Sequence, residues 1–143
     1  MGMDTQNDTR VGDLPLVAGE DLTGMEGLLA VLSNDGGQSA VVLPGAATDV
    51  AAFVVVEGAA AGESATVRPL ESVRNVRLRL SGDCVPGDVL VAADPTDPLL
   101  RGLVTALPAV AGTYRGLAIA EQAGETGQLV LARPVMVGNI EVV

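Results

Sequence analysis

Val76-Arg77-Leu78-Arg79-Leu80 is a run of five residues in strict apolar–charged alternation. Successive side chains of an extended chain point to opposite faces, so Val76, Leu78 and Leu80 share one face and Arg77 and Arg79 the other. The stretch is a half-buried strand. It runs into Ser81-Gly82-Asp83-Cys84-Val85-Pro86-Gly87-Asp88, whose two Gly-Asp pairs read as turns opening a new strand at Val89.

The same rhythm holds outward in both directions. From about Leu28 onward, short Val/Leu/Ala runs alternate with Gly, Pro, Asn and Asp every 8–12 residues. That spacing is the signature of an all-β sandwich or barrel. It predicts strands near Leu28–Leu32, Ser39–Leu43, Val50–Val56, Ala65–Pro69, Val73–Leu80, Asp88–Ala92, Gly102–Ala106, Gly116–Ala120, Gln128–Ala132 and Ile140–Val143. Between the first two, SNDGGQ supplies residues that tolerate positive φ, so a hairpin is expected. Val50–Val56 is apolar throughout and reads as a strand covered on both faces or in a subunit contact. The one weak helix signal is Gly45–Ala52, with Thr48 or Asp49 as cap.

Residues 1–19 read as an extended arm, rich in Asp, Asn, Thr and Gly and broken by Pro15 and Gly19. Residues 20–143 read as a single β domain. An internal echo runs through the domain. Glu57-Gly58-Ala59-Ala60-Ala61-Gly62-Glu63 leads through Thr66-Val67 to Arg68-Pro69, and Glu121-Gln122-Ala123-Gly124-Glu125-Thr126-Gly127 leads through Leu129-Val130-Leu131 to Arg133-Pro134.

At 143 residues the chain fits one domain, and it is 48% hydrophobic with 18 Gly. A chain of this length buries roughly 70% of its unfolded surface without a metal or disulfide. There is no Lys, no His and no Trp, and there is one Cys, one Tyr and one Phe. Lysine-linked cofactors, Ser–His and Cys–His nucleophiles and His-ligated metals are therefore excluded. Few aromatics and a net charge of −10 argue against nucleic-acid binding. The polar, acidic N-terminus is unlike a signal peptide, and no apolar run approaches the roughly 20 residues of a membrane helix. The expectation is a non-enzymatic protein with no cofactor, no metal, no catalytic residues, no nucleic acid and no membrane.

Three constellations read as structure. Asp94-Pro95-Thr96-Asp97-Pro98 lacks the oxygen ligands of a calcium loop and is a turn. Cys84 has no basic neighbour to activate it, and Asp83 beside it raises its pKa. The pairs Glu57/Glu63 and Glu121/Glu125 lack the aromatic residues of a sugar site. Arg68, Arg74, Arg77 and Arg79 fall within twelve residues and form the one basic stretch. It reads either as contact with an acidic surface, including the acidic half of a neighbouring copy, or as an exposed strand face whose charge protects an edge. The chain's first 63 residues carry ten acids and one base.

The order of elements resembles a known family. Ala18-Gly19-Glu20-Asp21-Leu22, the Asn34-Asp35-Gly36 turn, Gly58-Ala59-Ala60-Ala61-Gly62-Glu63, Gly82-Asp83-Cys84-Val85-Pro86-Gly87-Asp88-Val89-Leu90, Arg115-Gly116-Leu117-Ala118-Ile119-Ala120-Glu121 and Gly124-Glu125 follow one another over residues 16–135. In this they are similar to the small capsid decoration (cement) proteins of tailed bacteriophages. The resemblance implies a compact all-β barrel or sandwich, commonly a homotrimer. It implies a structural virion protein made in the host cytoplasm, sitting on the outer surface of the head and stabilising the major capsid protein lattice. The alternative is another structural β module of the particle, in the tail or baseplate. The candidate capsid or subunit interface comprises Asp4, Asp8, Arg10, Asp13 and Leu14 of the arm with Arg68, Arg74, Arg77 and Arg79. The arm is longer and more acidic than the family pattern.

Overall fold

Asp35-Gly36-Gly37-Gln38 closes the first hairpin as the sequence demands. Both central glycines take positive φ, 60° and 88°, and the Asn34 side chain accepts a hydrogen bond from the Gly37 N–H at 2.7 Å. Positive φ at both central positions matches the right-handed twist of the flanking strands. The computed structural model describes residues 12–143, and those residues form ten strands and no helix. They are β1 (Leu14–Ala18), β2 (Leu29–Asp35), β3 (Gln38–Val42), β4 (Ala51–Glu57), β5 (Ser64–Pro69), β6 (Val76–Arg79), β7 (Val89–Ala92), β8 (Val104–Ala106), β9 (Gly112–Ala120) and β10 (Leu129–Val142). The fold is all-β, as the alternation requires.

The differences from expectation have local causes. Within the stretch read as arm, Leu14–Ala18 is a strand: it pairs antiparallel with β5 from Leu14 to Val17 and parallel with β3 at Val17 and Ala18. Pro15 is tolerated because β1 has only the β5 neighbour at that point. Residues 1–11 lie outside the described residues. Of Gly45–Ala52, residues 46–49 make a turn instead of a helix and Ala51 and Ala52 open β4, with the Asp49 carboxylate accepting the Gly45 and Ala46 N–H groups at 2.8 and 3.0 Å. The two terminal strands expected at Gln128–Ala132 and Ile140–Val143 are one strand, β10, kinked by a register shift between Pro134 and Gly138.

Strands β1-β3-β2-β4-β5 form a closed barrel, and the remaining five form a sheet in the order β6-β10-β9-β7-β8. A parallel bridge from Leu80 to Val104, with the Ser81 N–H donating to the Val104 carbonyl at 2.8 Å, draws the two ends of that sheet together. Between the two units, β2 and β4 form a common wall. Leu29 and Val54 belong to the core shared with Leu78, Leu90 and Val130, while Ala30 and Val55 face the barrel interior with Val41 and Val67. Both faces of β4 are therefore covered, which explains its unbroken apolar sequence.

One turn recurs four times, at Gly27, Gly62, Gly87 and Gly127, each with φ between 85° and 93°. Each glycine N–H donates to a strand carbonyl: Gly27 to Val55, Gly62 to Ala18, Gly87 to Ala120 and Gly127 to Leu80, all at 2.8–2.9 Å. Each of those strand residues returns its own N–H to the carbonyl just after the glycine, on Leu28, Glu63, Asp88 and Gln128. The exchange is reciprocal. Ala18 precedes the Gly27 turn and receives Gly62, whereas Val55 precedes the Gly62 turn and receives Gly27. Leu80 and Ala120 trade partners in the same way. Each half of the chain is thus two strand–turn–strand units locked together, and the echo between residues 57–69 and 121–134 is two of the four copies.

Candidate interaction surface

The basic stretch is built from β5 and β6 and the turn between them, and most of its charge is used inside the chain. Arg68 on β5 grips Asp13 with two hydrogen bonds, Nε to Oδ1 at 2.7 Å and Nη2 to Oδ2 at 3.0 Å. Arg74, in the turn, stands 3.7 Å from the same carboxylate. The hydrogen bond from Arg68 holds the Asp13 carboxyl below the usual carboxylate range against the opposing effect of burial, and the charges of Arg68 and then Arg74 add smaller contributions in the same direction as the hydrogen bond. Arg79 donates to the Gly127 carbonyl at 2.9 Å. Arg77 is exposed and, among the described residues, makes no ion pair or hydrogen bond. Leu14 begins β1 and is half-buried against the barrel core. Asp4, Asp8 and Arg10 lie outside the described residues.

Arg77 stands beside a cleft of ≈ 430 Å³ along the seam between the barrel and the second sheet. Val54, Val56, Leu129 and Leu131 line it, with Arg68, Arg77, Asn75 and Glu26 among its polar residues. An apolar trough with an unpaired guanidinium is suited to a protein surface that offers apolar side chains and an acid. Glu26 also accepts the Gly58 N–H at 3.0 Å, which holds that side of the cleft to the barrel.

The other constellations are structural in place. The Asp94 carboxylate accepts from the N–H and hydroxyl of Thr96, which keep it below the usual carboxylate range, and Asp97 accepts from the Leu99 N–H. Cys84 is buried, and its thiol is pushed up first by burial, then by the charge of Asp88, with Asp83 a smaller contributor. Glu121 pairs with Arg133 at 3.1 Å and accepts from Asn75. Among the described residues no three acidic or sulfur ligands gather as a metal site would require.

Two features escaped the sequence reading. Arg101, between β7 and β8, clamps Glu20 with two bonds at 3.0 Å and also donates to the Leu43 and Pro44 carbonyls. Its partners lie 57 to 81 residues away, so no local pattern announces them. Arg115 on β9 has its Nε shielded from solvent with no acceptor among the described residues. It sits in an ordinary strand sequence, and only tertiary packing reveals it.

Neither a protein-family model nor a curated protein matches the chain. Among solved structures the chain is similar to the head fiber gp8.5 N base of bacteriophage phi29, with a TM-score of 0.65 and 15% identity over 90% of this chain and 97% of that one. At this identity the likeness is one of fold, and it extends over both the barrel and the second sheet.

Proposed function

We propose that the chain is a structural component of a bacteriophage particle that binds the outside of the head and stabilises the major capsid protein lattice. The observation that carries this reading is the fold likeness to the phi29 head fiber base over nearly the full length of both chains. The order of turns that resembles the decoration proteins supports it independently. A decoration protein needs a rigid body and a surface that binds, and the chain supplies both: two interlocked β units, and a seam cleft flanked by Arg77. Binding at many equivalent lattice points adds weak contacts into a firm hold. Self-association as a homotrimer on the shell belongs to the same proposal.

The test is to add purified protein to expanded heads that lack it. The expected result is co-sedimentation with heads and a raised resistance of those heads to heat or chelator, with both effects weakened by Arg77→Glu. Failure to bind heads of the encoding phage at any maturation stage overturns the proposal.

A further inference from the structure

β6 is an edge strand, with β10 paired along one side of it. The Leu80 N–H donates to the Gln128 carbonyl, while the Leu131 carbonyl, opposite Arg77, is turned to β9 and accepts the Glu121 N–H. Successive residues of an antiparallel strand aim their backbone groups to alternate sides. Leu78 therefore bonds across to β10, and the N–H and C=O of Arg77 and Arg79 aim away from it. The Gly27 carbonyl takes the Arg79 N–H at 3.0 Å. Among the described residues, nothing pairs with the Arg77 N–H and C=O on that side. An open edge of this kind is a template for one more strand.

That edge is one bank of the seam cleft, and the described chain starts at the same place. Asp13 is held by Arg68, itself a residue of the cleft, and a Cβ added at Gly12 would stand 3.7 Å from Arg74 Nη1, just before β6. The residues that precede Gly12 are Asn7-Asp8-Thr9-Arg10-Val11. Five extended residues span about 17 Å, and Asn75 to Arg79 spans about 13 Å. A chain entering the cleft from Gly12 would run antiparallel to β6 and cover its length. Alternation separates Asp8 and Arg10 from Thr9 and Val11. The charged pair matches the opposite charges of Arg77 and Glu26 on the cleft, and Val11 matches the apolar Val56. The tether gives this segment a millimolar effective concentration, on the order reached by short linkers, that no separate partner has.

We propose that residues 7–11 of the same chain dock in the seam cleft as a strand antiparallel to β6, closing its open edge at Arg77. The inference goes beyond the head-binding reading and does not depend on it; a shell partner using this cleft would first have to displace the segment.

Amide hydrogen exchange of the full chain in the absence of heads, read residue by residue by NMR, tests it. The comparison is with the double variant Thr9→Pro/Arg10→Pro, which removes the donor from two successive residues and so breaks the added strand in either register. The expected result is that the Arg77 amide exchanges at least about tenfold faster in the variant, the effect of losing a backbone pairing. The Leu78 amide, bonded to β10, should exchange alike in both proteins, which shows the fold intact. Should Leu78 reveal a disturbed fold, Asp8→Lys reverses the charge facing Arg77 without breaking the backbone, and should speed Arg77 exchange about threefold. Equal Arg77 exchange with and without these substitutions overturns the proposal. So does Arg77 protection that falls as the protein is diluted, which would assign the cleft to a second copy of the chain.

Discussion

Arg101 joins parts of the chain that no local signal brings together. Its guanidinium satisfies the Glu20 carboxylate and two backbone carbonyls, while Glu20 also accepts the Leu43 N–H at 2.9 Å. The clamp ties the loop between β7 and β8 to the barrel. Arg101→Met leaves Glu20 with only the Leu43 N–H and two carbonyls without this donor, and because water reaches the part-exposed pair it should cost about 1 kcal/mol of stability in urea denaturation. Asp13 gives a prediction in pH. Its carboxyl is held down by Arg68, so the ionised form is favoured in the fold. The stability it contributes is fully present above the ordinary carboxylate pKa near 3.8 and is lost as pH falls through the depressed value. Asp13→Asn should therefore lower stability at pH 6, and the gap from the unsubstituted protein should close as both are titrated to pH 2. The pair is about one-quarter to one-third exposed, so solvent screening keeps this gap modest.

The strands were largely legible because each carries its own evidence. Val76-Arg77-Leu78-Arg79-Leu80 alternates, and Val76, Leu78 and Leu80 are buried while Arg77 is exposed. The SNDGGQ hairpin is fixed by its two glycines. β1 was not legible, because Leu14-Pro15-Leu16-Val17-Ala18 is too short to show a period and contains a proline. It becomes a strand only when β5 and β3 arrive. The recurring turn was half legible. Gly62 and Gly127 sit in similar Ala/Gly/Glu surroundings, whereas Gly27 follows Met-Glu and Gly87 follows Val-Pro, so hydrogen bonding and φ relate them where sequence does not. Alanine at these four positions should separate backbone strain from packing. At Gly62, Gly87 and Gly127 an added Cβ meets open space, so the cost is that of left-handed backbone, about 1–2 kcal/mol. At Gly27 the Cβ also collides with Leu129 Cδ2, beside the seam between the two units. Leu129 is exposed and its methyl can swing aside, so Gly27→Ala should lower the urea midpoint at least as much as the other three, the excess measuring what that displacement costs.

At the scale of the whole molecule, the shared β2–β4 wall makes the barrel and the second sheet one body. The sequence announced the wall as the apolar run Val50–Val56 but not what lay on each side of it, since covered strands look alike whether their neighbour is a sheet or a subunit. The basic stretch shows the same limit. Four arginines in twelve residues looked like one charged surface, yet Arg68 and Arg79 are bonded within the chain and Arg74 faces Asp13. Which charges remain free depends on partners brought in by the fold. This body, its seam cleft and its fold likeness to a phage head fiber base support the proposal that the protein decorates the phage head. Quantitative mass spectrometry of purified phage particles, ratioing this chain to the major capsid protein, tests that claim most directly. A ratio near one copy per shell subunit is the predicted result. A ratio of a few copies per hundred shell subunits, or absence from the particle, would contradict it.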